Sequence, residues 1–564
     1  MLALLAILTL APLLYIPGFL ISHALLGVAQ PPDALERHYE RIVAGALLNG
    51  WLALTLAELG LFSVGLHLVL VLALCVGCAV IAWRRGALSF RRRTTDDGRK
   101  SRSSVVGRPS SVVAHWELLS FAAVGVVFVL LVARPFEVVL GARDAGVYTN
   151  SGFAIAATGG IVQHDALVQQ IGQDEQSDDA ELHAAAAQAE TNFLGNQNAT
   201  RFIATRLRLS GFQIWAGDLD QGRVVPQFLH LYPAWLALLT SLLGLRGGLL
   251  ATGLLGFLGV WSVGMLGRRL AGPWVGLLGA LFLALNGVQV WFSRYSTSEA
   301  CAQFLCFAAL YGFAVMQGDG RPTTETPNSQ LPTPNSQAWF GGLIAGVAAG
   351  QLALARIDFF VLVVPLLLYL AYASLTKRWS TALWALTGGL GVMLLHGLLH
   401  ILFISRAYFF DTLYARLQDQ SAILFYLTLP FLTPVLRERF MEIARSAPLR
   451  RPLRLPLELG LVVLLVIVFV LLRRDGRPQR WFEQLMMRYR RGLLRAGAVL
   501  IVLLGIYGYL IRPQILTPHM LAVAPSCLAL AQLRSPSGDC LALQGYIGAP
   551  VESPAHPNQL AYLL

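Results

Sequence analysis

Charge is scarce in this chain. Only 13% of its 564 residues are Asp, Glu, Lys or Arg, where soluble domains carry about 25%. Too little polar surface is available to coat the three or four soluble domains, roughly, that length alone would suggest. Acids are the scarcer sign, 31 against 43 bases. The resulting +12 is not a nucleic-acid signal. The bases gather at the ends of apolar runs, where the positive-inside bias places them. No Walker loop, dinucleotide fingerprint, zinc spacing or Ser-His-Asp signature occurs, which speaks against an ATP-driven pump or a cytoplasmic nucleotide-sugar enzyme. Cysteine is sparse as well. Cys75 and Cys78 form a CxxC inside the run Leu68–Ala82, where two small helix residues are a plainer reading than a redox or metal pair. Cys527 and Cys540 can form a disulfide only if the tail is extracytoplasmic. Leu2–Val28 lacks a basic n-region and is too long for an h-region, so it reads as a retained helix.

What the chain has in quantity is apolar residue, 56% by the broad count, with a mean hydropathy of +0.61. A spanning helix needs about 20 apolar residues. Candidate runs fall at 2–28, 42–60, 62–83, 115–134, 247–267, 273–292, 300–316, 338–355, 358–375, 381–404, 457–472 and 497–511, with weaker ones at 228–244 and 421–436. The expected fold class is an all-α polytopic membrane protein with about 11–13 transmembrane helices and a large extracytoplasmic loop. Residues 1–114 form the N-terminal helices and a basic loop, 115–405 the core, 406–511 a C-terminal membrane region and 512–564 a tail.

Charge also orients the chain. Residues 84–108 hold nine bases against two acids and should be cytoplasmic, whereas 135–227 hold eleven acids against five bases and should lie outside. Arg268-Arg269 should be inside, so only one net crossing fits between 227 and 268. The run Phe228–Gly244 is therefore expected to lie along or dip into the interface, which is allowed where protein buries it. The near-duplicate Thr326–Gln330 and Thr333–Gln337 marks a low-complexity linker. Beyond it the basic segments 437–454 and 473–495 flank one apolar run. Both are cytoplasmic only if that run is re-entrant or surface-lying.

Ionisable residues at a membrane face are functional candidates by default. Gly141-Ala-Arg143-Asp144-Ala-Gly146-Val-Tyr148 reads as a tight, glycine-flanked turn in which Asp144 can act as general base on an acceptor hydroxyl. Arg143 can hold that carboxylate ionised or bind a phosphate. The plainer alternative is a solvated Asp-Arg pair at an interfacial turn. His230 and Tyr232 precede Pro233, a first-turn proline, and can equally serve as interfacial anchors. Ser296-x-x-Glu299 matches a capping box. Arg294 suits a phosphate ligand, or snorkels at a helix end. Arg356-Ile-Asp358 can be a self-satisfied ion pair, and Asn198-Ala-Thr200 matches a glycosylation sequon.

Taken in order, Gly141–Tyr148, Thr158-Gly159, His230–Pro233, Ser293-Arg294 with Glu299, and Arg356–Asp358 resemble the GT-C superfamily of membrane glycosyltransferases. The likeness spans about residues 115–405 and is greatest to the RgtA/B/C/D-like and protein-mannosyltransferase-type (PMT/ArnT-like) members. It implies a polyprenyl- or dolichyl-phosphate sugar donor used at the outer face of the plasma membrane, and a glycan, lipid or protein acceptor. It implies Asp144 as catalytic base, and Arg294 with Arg143 at the departing phosphate. Tyr148, His230, Glu299 and Asp358 would be further substrate-side residues. Some relatives use a divalent metal, Mg or Mn, at this Asp. Many carry a second acid after it, where this chain has Ala145, and many have one apolar run before the loop, where this chain has three. A transporter or flippase, or a non-catalytic envelope-assembly protein, are the alternatives. The former calls for ionisable residues near helix centres and for related halves.

Overall fold

The computed structural model describes residues 2–26, 33–87, 111–138, 144–175, 178–181, 211–214, 220–318, 336–375 and 379–409, with single positions 488, 489, 492 and 499 beyond them. Arg143, the sequon at 198–200, both C-terminal cysteines, the runs 421–436 and 457–472 and the tail 512–564 lie outside the described residues. The chain divides into two compact units, Met1–Ala407 and Tyr408–Leu564, and the elements below belong to the first.

Four helices open the chain: α1 (Leu2–Leu26), α2 (Ala34–Glu58), α3 (Val64–Arg84) and α4 (Ser111–Val132). A polar insertion follows with α5 (Asp144–Thr158), β1 (Gln163–His164), α6 (Ala166–Glu175), β2 (Phe212–Ile214) and β3 (Arg223–Pro226). Then come α7 (Leu231–Gly248), α8 (Leu250–Ala271), α9 (Pro273–Leu285), α10 (Gly287–Phe292), α11 (Glu299–Gln317), α12 (Ser336–Ala355), α13 (Phe360–Leu375) and α14 (Thr381–Phe403). Among the described residues six helices are long and apolar enough to cross a membrane: most of α1, and α3, α8, α11, α12 and α14. The protein is an all-α, multi-pass membrane protein. Val69 and Leu72 on α3, Trp274 and Phe282 on α9, and Val361 and Leu368 on α13 remain exposed. A water-soluble surface does not tolerate apolar faces of that extent, and hydrocarbon does.

The helices run between two ends. At the base end Arg268 binds Asp33 and Glu117 and, at 3.1 Å, Glu36, while Arg269 reaches Glu36 at 3.4 Å. Arg85 donates there to the Ala24 carbonyl at 2.7 Å. These pairs explain why α2 starts eight residues before the apolar run at 42. Its polar first turns hold Glu36 and Glu40, whose burial is tolerated where cationic and hydroxyl partners stand ready. The Asp33 side chain caps α2, accepting from Leu35 N at 2.8 Å and Glu36 N at 3.1 Å. Close backbone approach does the rest. Gly18 of α1 faces the Arg41 carbonyl and Gly45 of α2 faces that of Leu14, so neither position has room for a side chain.

At the opposite, head end, α5 lies across the bundle. Its first half meets the 293–298 loop through Tyr148, and its far end meets the α2–α3 turn through Phe62 N to Gly159 O at 3.0 Å and Ile161 N to Ala57 O at 3.1 Å. The expected glycine-flanked turn is therefore corrected over 144–148, while 141–143 lie outside the described residues. Asp144 begins a helix and Gly146 is buried inside it. The small residues of α5 permit close packing on α7, with Gly152 pressed against Leu236. The three strands form a small antiparallel sheet in the order β1-β3-β2, pairing Gln163 with Val224 and Phe212 with Pro226. That sheet delivers the chain to the turn before α7.

α7 does not cross. His230, at its start, meets α14 at the head end, and Gly253, one turn into α8, faces Val132 and Ser293 at that same end. Between them the chain breaks at Gly244 (φ 78°) and folds back so that Gly248 packs on Thr240. The run 273–292 is not one helix either. Asn286 interrupts it and caps α10, accepting from Val288 N at 2.9 Å.

Candidate functional site

The head end collects the candidate residues. Asp144 stands exposed in the first turn of α5, where a carboxylate also complements the helix dipole. Tyr148, one turn on, is 7% exposed. Its hydroxyl is 3.0 Å from Ser298 Oγ, and its ring stacks on Phe228 and meets Tyr232 edge-on at 5.4 Å. Tyr148 thus joins α5, the turn before α7, α7 itself and the 293–298 loop. Tyr232 is fully buried and hydrogen-bonds Thr252 of α8.

Arg294 emerges from that loop. Its Nε donates to the Arg134 carbonyl at 2.6 Å and its guanidinium lies 4.3 Å from the Phe136 ring centroid. Phe136 N in turn donates to the Arg294 carbonyl at 2.8 Å. Among the described residues its terminal nitrogens take no hydrogen-bond acceptor. Burial first, and then the neighbouring Arg134 charge, lower the Arg294 pKa. An anion near Arg294 would offset the repulsion from the Arg134 charge.

Glu299 and Asp358 are brought together by Arg356, which binds Glu299 at 2.6 Å and Asp358 at 3.0 Å. Burial opposes the Arg356 charge, yet Glu299 and then Asp358 outweigh it and hold its pKa above the ordinary range. The capping-box expectation for Ser296 and Glu299 does not hold. Ser298 is the N-cap and makes no side-chain cap bond; its hydroxyl meets Tyr148, and the Glu299 carboxylate is turned to Arg356.

An apolar cavity of about 720 Å³ opens between α1, α4 and α8, lined by Leu14, Phe121, Phe128, Phe257 and Trp261. At the head end it reaches Val132 and Ala133, next in sequence to Arg134, whose carbonyl holds Arg294. No protein-family model, curated protein or solved structure matches this chain.

His230 is fully buried, with Nε2 3.1 Å from the Pro226 carbonyl and Nδ1 3.1 Å from His400 Nε2. It belongs to a cluster that sequence reasoning missed. His400 Nδ1 lies 2.5 Å from Glu58 Oε1, and His396 Nε2 lies 2.6 Å from Glu58 Oε2. The available signal was two histidines one helical turn apart inside the apolar run 381–404. Among the described residues no set of three or more His, Cys, Asp or Glu is arranged to hold an ion. The residue after Asp144 is the buried Ala145, so among the described residues the donors at Asp144 do not fit the Mg or Mn that some members of the resembled superfamily use, and no step below runs through a metal.

Proposed function

We propose that this chain is a GT-C-like membrane glycosyltransferase that moves a sugar from a polyprenyl-phosphate-linked donor to an acceptor hydroxyl at the head end. The observation that carries the reading is the apolar groove that reaches Val132 and Ala133, next to the Arg134 backbone that holds Arg294, at the end of the molecule where Asp144 stands. An isoprenoid chain suits a groove between apolar helices, and a phosphate suits a guanidinium such as Arg294 near its head end. In this mechanism Asp144 takes the acceptor proton as the acceptor oxygen attacks the anomeric carbon. The bond from that carbon to the phosphate oxygen breaks, its electron pair leaves on the lipid phosphate, and Arg294 offsets the charge. Attack opposite the leaving group inverts the anomeric centre. The donor already carries a good leaving group, so base, cation and orientation are the protein's main contributions.

Arg84, Arg85, Arg268 and Arg269 all lie toward the base end, which supports a cytoplasmic base and an extracytoplasmic head. The test incubates membranes with radiolabelled polyprenyl-phosphate sugars. The wild type should yield labelled product and Asp144→Asn none, at equal membrane abundance. Undiminished transfer by the variant removes Asp144 as base. Passage of the lipid across vesicles without any covalent transfer replaces this reading with the flippase alternative.

A further inference from the structure

The buried cluster beneath the 226–230 turn has a proton inventory that its contacts dictate. Trp51 Nε1 donates to His396 Nδ1 at 2.8 Å. An indole N–H can only donate, so His396 Nδ1 is an acceptor, its one proton is on Nε2, and that proton goes to Glu58 Oε2. A carbonyl can only accept, so His230 Nε2 carries a proton toward Pro226 O. The His400 Nε2 to His230 Nδ1 contact of 3.1 Å needs one proton between the two nitrogens, and the His400 Nδ1 to Glu58 Oε1 contact of 2.5 Å needs another. His230 and His400 with Glu58 thus require three protons, one more than two neutral imidazoles and a carboxylate hold. On either side of the Glu58–His400 contact, that proton makes the cluster neutral overall, the form that burial favours.

The cluster holds a strained turn. Phe228 has φ +86°, outside the range a phenylalanine ordinarily adopts, at a cost of about 1–3 kcal/mol unless its surroundings impose it. Its carbonyl accepts from Ser405 Oγ at 3.0 Å, and that hydroxyl oxygen of Ser405 lies 3.1 Å from His400 Nε2 and 3.3 Å from His230 Nδ1. The Phe228 ring stacks on Tyr148, one helical turn after Asp144.

We propose that Glu58, His400 and His230 are positioning residues. They form a clamp, neutral only while it keeps its additional proton, that fixes the Phe228 turn and, through Tyr148, the first turn of α5. In giving the clamp a purpose the proposal rests on Asp144 being the base. The groups facing His400 are Glu58 of α2, His230 before α7 and, on its own helix, His396. From α12, Gly350 and Ala353 meet α14 at Met393 and Gly397; from α3, His67 turns to Asn49 instead; and from α7, Trp235 meets Gly50. Loss of the proton at high pH leaves a buried carboxylate and two imidazole lone pairs facing each other, and the turn should loosen.

Glu58→Gln separates this clamp from a merely structural role. The amide can accept from His396 and donate to His400, which copies the protonated arrangement permanently. Hydrogen exchange of the full chain in lipid nanodiscs, at residues 144–149 and 226–230, is followed from about pH 6 to about pH 10 and corrected for the intrinsic pH dependence. Wild type should be protected at the low end and exchange at least about tenfold faster at the high end. Glu58→Gln should stay protected throughout, and His400→Ala should exchange fast throughout. A pH response in Glu58→Gln equal to that of wild type, or full protection in His400→Ala, overturns the proposal. The readout needs no substrate, so it stands apart from the transfer test of Asp144→Asn.

Discussion

The rings of Tyr148 and Phe228 lie face to face, centroids 4.7 Å apart and planes 19° from parallel, although one belongs to α5 and the other to the turn before α7. Stacking of this kind contributes about 0.5–1.5 kcal/mol beyond burial. It sits where the backbone is least relaxed, so contact and strain can be measured separately. Phe228→Ala removes the ring and keeps the left-handed φ, whereas Phe228→Gly removes both. Both variants should unfold at lower temperature than wild type in detergent, with Gly above Ala by about 1 kcal/mol. Equal midpoints for the two would show that the strain is absent.

Arg294 should report on the leaving group. Arg294→Ala is expected to lower kcat/KM for a lipid-phosphate sugar by about 10²–10³-fold, the usual effect of removing one donor to a developing anion. Arg294→Lys keeps a charge but loses the Nε that donates to the Arg134 carbonyl, and should fall between. Steady-state transfer assays decide it, and an unchanged Arg294→Ala would take the phosphate elsewhere.

At the base end, Arg268→Ala would leave Asp33, Glu36 and Glu117 facing one another. Breaking a buried pair by removing one partner costs about 3–5 kcal/mol. The expected outcome is a collapse in the yield of monodisperse protein and in its thermal midpoint, with partial recovery in Arg268→Lys.

Gly45 has the Leu14 carbonyl where a side chain would go. Gly45→Leu should force α1 and α2 apart and destabilise by about 1–3 kcal/mol or more. Cysteine cross-linking between α1 and α2, efficient in wild type, should fail in this variant.

Acid should also weaken the turn. Burial and then the neighbouring His400 charge push the His230 pKa from 6.5 down to about 3. Neutral His230 therefore contributes stability that is complete above 6.5 and is lost as pH falls from there through about 3. The wild-type thermal midpoint should decline across that window, and that of His230→Gln should decline less.

Much of the architecture is readable in one dimension. Runs of about 20 apolar residues mark the spanning helices because hydrocarbon demands both their length and their composition. Charge bias also required a segment between 227 and 268 that does not cross, and α7 starts and ends at one end of the bundle. The polar first turns of α2 hid from the same logic, since their partners Arg268 and Arg269 lie more than 200 residues away in the chain. Gly146 misled for the opposite reason. Glycine favours a turn when only local freedom counts, and here it is helical because α5 packs on α7.

Hydropathy and charge along the chain were enough for an all-α membrane protein, its alternation between two ends and a short list of ionisable residues near one of them. They were enough because both act residue by residue. Folding is what lets Glu299 and Asp358 share Arg356, holds Arg294 on the Arg134 carbonyl, and gathers Glu58, His396, His400 and His230 into one hydrogen-bonded cluster. Hydrogen bonds act over about 3 Å, and only folding brings groups hundreds of residues apart within that reach.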